Sequence, residues 1–222
     1  PLPPLRYSDQ PPGYRKSLMY SLTATPPEQR HMGGVTSLAL DFLADAARGR
    51  DPWCCFVSFV EPHDPFLTST AAFARYDVDR LPIPPNWGDD LADRPGLYRK
   101  MARNWSVMTE RQKREAAAVY YASITEIDSQ YGRALDLVAR AGRLDDTIVI
   151  VTSDHGEFLG AHGLYCKNVS AFEEAYNVPL IMAGPGFARG VTTSARVGLS
   201  DLCPTLMELT GVEAFSSPDS RS

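Results

Sequence analysis

The chain is poor in the features that mark out several whole classes of protein. It has only four cysteines in 222 residues. Cys54 and Cys55 are adjacent in an apolar run, while Cys166 and Cys203 stand alone. No C-x-x-C spacing occurs, which argues against a zinc site built from cysteines. No apolar run approaches the ~20 residues that a membrane-spanning helix needs. There is no basic block either: 22 Lys+Arg face 27 Asp+Glu, for a net charge of −5. Such a balance supports neither nucleic acid nor an anionic membrane surface as a partner. The opening stretch, PLPPLRYSDQPPGYRK, has no charged segment leading into an apolar one, so it does not read as a secretory signal. It also lacks an initiator Met, and the expectation is a chain that starts inside a longer protein and leaves its localisation unreadable. No internal repeat is visible.

What is present is an ordinary globular composition, with 44% apolar and 22% charged residues. That suffices for one large domain or part of one. Residues 1–33 read as an irregular N-terminal segment. Residues 34–215 read as the main domain and 216–222 as a turn or linker. Thr36–Arg48 has helical spacing at Leu38, Phe42 and Ala46, with Gly49 and Pro52 to close it. Trp53–Val60 is a short continuous apolar run, the pattern of a strand buried on both faces. Between residues 68 and 108 lies a proline-rich excursion, LPIPPNWGDDLADRPG, too punctuated for regular structure and suited to shaping a site mouth.

Thr109 and Gln112 have the spacing of a capping box and open the longest helix. Val119 or Tyr120, Ile124, Ile127, Tyr131, Ala134 and Val138 follow its period, and Gly142 stops it. The strand Thr147–Thr152 follows, then the strand Val178–Gly184. A last helix runs over Asp201–Thr210, with Ser200 as N-cap and Gly211 as stop. Helices alternating with buried strands imply an α/β fold.

In open α/β sheets ligands bind beyond the carboxyl ends of the strands. Two strand ends here carry chemistry: Glu61, His63 and Asp64 on one, Asp154, His155 and Glu157 on the other. Asp and His are good divalent-metal ligands, and Gly156 permits the turn that lets adjacent residues reach one ion. A capping Asp and a satisfied turn His would give the same letters. Lys167 follows across a loop punctuated by Gly156, Gly160 and Gly163. A lysine beside a bound cation holds the anion that the cation also contacts, whereas an exposed surface lysine would give the same letter. His63, fixed between Pro62 and Pro65, can donate a hydrogen bond or protonate a leaving group. His162 either lines the site or bonds the loop backbone.

These residues resemble those of sulfatases in the alkaline phosphatase superfamily. The matching segments are FVSFVEPHDPF, YDVDRLPIPPN, YYASITEIDSQYGRALDLVARAGRLDDTIVIVTSDHGEFLGAHGLYCK, AYNVPLIMAGPG and SDLCPTLMELTG, in that order. SDHGE and PHDPF are most similar to the branch of choline-sulfatase-like enzymes and phosphonate monoester hydrolases. The resemblance implies an α/β/α sandwich with a large mixed, mostly parallel sheet, here incomplete. It implies cleavage of sulfate esters, or of phosphate or phosphonate esters in sister branches, on a small molecule or glycan. By position, Asp154 and His155 correspond to half of a divalent-metal site, with Ca2+ the usual ion and Mn2+ or Mg2+ as alternatives. Lys167 corresponds to the lysine on the sulfate oxygens. His63 corresponds to the histidine that contacts sulfate and protonates the leaving alcohol, and His162 is a further substrate-binding candidate. The formylglycine nucleophile of the family arises in a C/S-x-P-S-R or C/S-x-A-x-R motif. No cysteine fits it here, and Ser216 in SSPDSR has its Arg one place late. The expectation is therefore a piece of a sulfatase that is inactive alone, with a non-catalytic relative as the alternative.

Overall fold

The computed structural model describes residues 6–7, 19–167, 171–213 and 219–222. Its elements in order are β1 (Arg6–Tyr7), β2 (Tyr20–Thr23), α1 (His31–Ala46), β3 (Phe66–Ser69), α2 (Thr70–Phe73) and α3 (Gly96–Trp105). There follow α4 (Glu110–Arg140), β4 (Val149–Thr152), α5 (Glu173–Tyr176), β5 (Leu180–Ala183) and α6 (Leu202–Leu209). The fold class is α/β, as expected, with small sheets. β2 lies between β1, antiparallel, and β3, parallel, and pairs Tyr20 with Phe66. Within residues 1–33, read as irregular, Tyr20–Thr23 is thus a paired strand, and most of residues 1–18 lies outside the described residues. Tyr20 and Phe66 are both fully buried, and the Tyr20 hydroxyl donates to Glu115 Oε2 at 2.8 Å. A four-residue strand is too short to show its period among so many turn residues.

Helix α4 is the spine. The Thr109 side chain accepts from the Gln112 amide at 3.2 Å, and the Gln112 side chain accepts from the Thr109 amide at 2.8 Å. Gly142 follows the helix end in the left-handed region at φ 69°, where a side chain would be strained. The buried face carries Ala116, Val119, Ala122 and Ile127 together with Glu115, Glu126 and Gln130. Ile124, expected to face inward, is largely exposed. Glu126 accepts from the Ser69 amide at 3.0 Å and pairs with Arg30, which also donates to the Leu67 carbonyl. One buried ion pair thus ties the start of α1, the strand β3 and the middle of α4 together.

The expected face of α1 is also corrected. Met32, Gly33, Thr36, Ala39 and Leu43 are buried, while Leu38 and Phe42 point outward. The inner stripe is small because the helix is approached closely. A Cβ on Gly33 would lie 2.2 Å from the Glu28 carbonyl oxygen. Residues 81–95 form no helix or strand, as their prolines require, but they lead into α3, which pattern reading missed.

The strands β4 and β5 pair antiparallel, Val149 opposite Ala183, and are only partly buried. Trp53–Val60, read as a buried strand, joins no ladder among the described residues, and Phe56 is 90% exposed. An apolar run specifies apolar surroundings; it does not supply the strand that would pair with it. Helix α6 does not start from a Ser200 cap: it continues a 3-10 turn over Leu199–Asp201, and no side chain caps α6 itself. The Asp201 carboxylate accepts from the amide of Gly198, which caps that turn, at 2.8 Å. The proposed linker 216–222 lies partly outside the described residues.

Candidate active site

His63 is presented by the tight turn that joins Trp53–Val60 to β3. Its amide donates to the Val60 carbonyl at 3.0 Å, and the Phe66 amide donates to Met19 at 2.8 Å, locking the far side of the turn to the core. The His63 Nδ1 lies 2.8 Å from the Asp64 carbonyl oxygen. An Nδ1–H donated there leaves Nε2 facing outward.

Asp154 and His155 leave the end of β4. The Ser153 hydroxyl donates to the His155 carbonyl at 2.8 Å, and the His155 amide donates to Asp154 Oδ1 at 3.0 Å. The Gly156 amide donates to the Ala175 carbonyl at 2.9 Å. Glycine is needed at this position for close approach, since a Cβ there would lie 2.0 Å from the Glu174 carbonyl oxygen. The backbone thus sets His155 against the start of α5. His155 Nδ1 sits 2.8 Å from the Gly156 carbonyl oxygen, which again directs Nε2 outward.

The three outward groups converge. The His63 and His155 rings meet edge to face with centroids 5.9 Å apart. Lys167 Nζ lies 2.8 Å from His155 Nε2, and Asp154 Oδ2 lies 3.7 Å from the same nitrogen. The Trp53–Val60 run forms no ladder with β4 among the described residues, yet the two chemically loaded loops still share one face. A cavity of about 710 Å³ opens next to them, lined in part by Asp154, His155, Lys167, Tyr176, Asn177 and Val197. Nothing in the local sequence marks Tyr176 or Asn177 as wall residues; each comes in with α5.

Beneath these groups sits Glu157. Its Oε1 accepts from the Cys166 amide at 2.7 Å and the Leu159 amide at 3.1 Å, so it clamps the loop that returns Lys167 to His155. Burial pushes its carboxyl up to about 7, against the pull of those two amides. Burial, Glu157 and Asp64 push the Cys166 thiol up strongly, which disfavours its thiolate.

His162, a substrate-binding candidate by sequence, has both ring nitrogens engaged. Nδ1 lies 2.5 Å from Asp89 Oδ2 and Nε2 lies 3.1 Å from Asn86 Nδ2. Asn86 and Asp89 come from the proline-rich excursion, which no sequence signal connects to His162.

Asp154 and His155 suit a divalent ion in kind. One offers a carboxylate, and the other an imidazole whose tautomer is set by a carbonyl, the usual arrangement for a metal-binding histidine. A catalytic ion generally takes at least about three protein ligands. Among the described residues no group of three His, Cys, Asp or Glu side chains gathers to hold one. The residues present therefore fit part of a metal shell.

Comparisons with known proteins place the chain in a family. Residues 6–212 match the family model described as Sulfatase. The chain is 37% identical over 169 residues to a choline-sulfatase of Rhizobium meliloti (strain 1021), covering 73% of this chain and 32% of that protein. It is 31% identical over 195 residues to an arylsulfatase of Clostridium perfringens (strain 13 / Type A), covering 84% of this chain and 39% of that protein. Among solved structures, the phosphonate monoester hydrolase SpPMH of Silicibacter pomeroyi superposes with a TM-score of 0.79 at 28% identity. That match covers 89% of this chain and 41% of the hydrolase. The chain thus spans between 32% and 41% of the length of these relatives.

Proposed function

Because this chain belongs to the sulfatase family, we propose that it is part of the catalytic domain of a sulfuric ester hydrolase and carries one side of its active site. The observation that supports this reading is the convergence of His63, His155 and Lys167, drawn from loops far apart in sequence. In this proposal the Lys167 ammonium neutralises the sulfuryl oxygens. His63, entering the step as the imidazolium with its Nδ1–H still held by the Asp64 carbonyl, gives its Nε2 proton to the ester oxygen as the S–O bond breaks, so that the alcohol leaves neutral and the imidazole is left neutral. The attacking oxygen comes from a formylglycine outside these 222 residues. Asp154 and His155 would hold two positions of a divalent ion, Ca2+ or else Mn2+ or Mg2+, whose chemistry is to polarise the ester oxygens. The 222 residues alone are expected to be inactive.

The test is kinetic, in a full-length protein that contains this chain. Lys167→Ala is expected to lower kcat/KM on an aryl sulfate by about 100-fold or more, the scale on which a fixed charge stabilises a developing anion. His63→Ala is expected to lower kcat by about 100-fold, and more for alkyl than for nitrophenyl esters, because only a poor leaving group needs the proton. Unchanged turnover in both variants would remove the assignment. A second reading, a phosphonate or phosphate ester hydrolase, is favoured by the likeness to SpPMH. Parallel kinetics on aryl sulfate, phosphonate monoester and phosphodiester substrates separate the two. A protein that binds inorganic sulfate and turns over none of them would be the non-catalytic relative.

A further inference from the structure

The loop that carries the chain from His155 to Lys167 has an unusual backbone. Leu159, His162 and Cys166 all lie in the left-handed region, at φ 45°, 55° and 63°, and so do Gly160 and Gly163, at 97° and 67°. Non-glycine residues hold such conformations only where their surroundings over-determine them. The surroundings here are the proline-rich excursion. The edge of the Trp87 indole lies 3.0 Å from where a Cβ on Gly160 would stand, and the Trp87 carbonyl oxygen lies 3.0 Å from the same point on Gly163. The loop is wrapped on Trp87. The tryptophan is held in turn by the Lys113 ammonium, 3.8 Å from its ring centre, and by an edge contact with Tyr165.

His162 closes the joint. Asp89 takes one ring nitrogen, Asn86 lies against the other, and Glu174 of α5 lies 3.4 Å from that second nitrogen. Phe172 packs on the ring with centroids 4.6 Å apart. Asp89 is anchored itself, since its other oxygen accepts from the Leu91 amide at 3.0 Å. The joint therefore spans both flanks of Lys167, the loop before it and α5 after it. The same α5 receives the Gly156 amide beside His155.

We propose that Trp87, Asp89 and His162 are positioning residues: the excursion is the template on which the loop 157–166 is bent so that Lys167 meets His155. This rests on the role given to Lys167 above. It assigns the excursion a mechanical part in catalysis, and it assigns His162 to loop bracing in place of direct contact with the substrate.

The test is a double-mutant cycle in a full-length protein containing this chain. Asp89→Ala, a surface change with little risk to folding, is combined with Lys167→Ala. The cycle is read in kcat/KM on an aryl sulfate and in the calorimetric Kd of inorganic sulfate. Asp89→Ala is expected to weaken both by about tenfold in the wild-type background, since slight misplacement of a site residue is costly. In the Lys167→Ala background it is expected to change neither by more than about twofold. Trp87→Ala should act in the same direction more strongly, and Trp87→Phe should restore most of the loss. Equal losses from Asp89→Ala in both backgrounds would overturn the proposal, as would a lowered Tm with unchanged kinetics and sulfate affinity. If Lys167→Ala alone retained wild-type turnover and sulfate affinity, the functional reading would fail and this inference with it. A defective Lys167→Ala with an additive cycle defeats this inference alone.

Discussion

The two halves of this molecule differ in how completely they are packed. Around α4, the residues Tyr20, Phe66, Ala116 and Val119 are fully buried, and a buried ion pair pins α1 and β3 to the helix. Around β4 and β5, Ile181 and Val197 are each 60% exposed, and Phe56, on the Trp53–Val60 run, is 90% exposed. The site lies on the seam, yet its geometry is fixed from the packed side. Phe66 anchors the His63 turn, while Phe158, Leu164 and Tyr165 anchor the loop to Lys167, each of them at most 2% exposed. A cluster of functional groups can therefore be held in register even where the sheet beside it is open, provided its loops are rooted in the core.

The strongest way to break this contrast is to cut a root. Tyr165 is 1% exposed and lies edge-on to Trp87 and Trp105, with ring centroids 6.0 and 5.3 Å away. Tyr165→Ala is expected to cost about 3–5 kcal/mol, the range for removing a large buried aromatic ring. Urea unfolding measures it. A loss below about 1 kcal/mol would mean that the loop is not part of the core at all.

The packed half was the more legible in sequence, but not uniformly. The capping box at Thr109 and the stop at Gly142 were readable because each is a local motif with a local cause. The buried face of α1 was not. The larger side chains, Leu38 and Phe42, advertise a stripe, but it is the small residues Gly33, Thr36 and Ala39 that permit close contact. Trp53–Val60 was misread for a different reason, since strand pairing depends on a partner and composition says nothing about one. In the site, Asp154, His155, Lys167 and His63 stand out as chemistry-bearing residues at strand ends, but the roles proposed for them come from the resemblance to sulfatases and not from their spacing. The hold on His162 could not be read, because Asp89 lies 73 positions away and Asn86 lies 76 away, in a segment whose only local message is irregularity.

A subtler probe acts at the seam through pH. The Glu157 carboxyl is raised from its ordinary 4.5 to about 7, chiefly by burial. A carboxyl raised by folding binds its proton more tightly in the native state than in the unfolded chain. Stability is then full below about pH 4.5 and is lost as pH rises through about 7. Glu157→Gln keeps an oxygen for the Leu159 and Cys166 amides and cannot ionise. Above pH 7 it should be the more stable protein by on the order of 1–3 kcal/mol, while near pH 4.5 the two should be close. Thermal melts at pH 5 and pH 8 decide this. Parallel pH dependence in both proteins would mean that Glu157 ionises as freely as an exposed glutamate.

The smallest effect is expected in the open half, and it sharpens the comparison most. Phe56 is 90% exposed, so Phe56→Ser removes almost no buried surface from these 222 residues. It should change their unfolding free energy by less than about 0.5 kcal/mol, as surface substitutions do. In a longer protein whose added strands cover the Trp53–Val60 run, the same change would leave a cavity and a buried hydroxyl. It should then cost about 3 kcal/mol or more. Urea titration of both lengths tests the pair. A large loss in the short chain would show that the run is already covered there, by self-association for instance, and sedimentation at two concentrations would detect that. A negligible loss in both would mean that Phe56 faces solvent throughout, and that the apolar pattern of Trp53–Val60 serves only its partly buried side, where Phe59 packs against Tyr131.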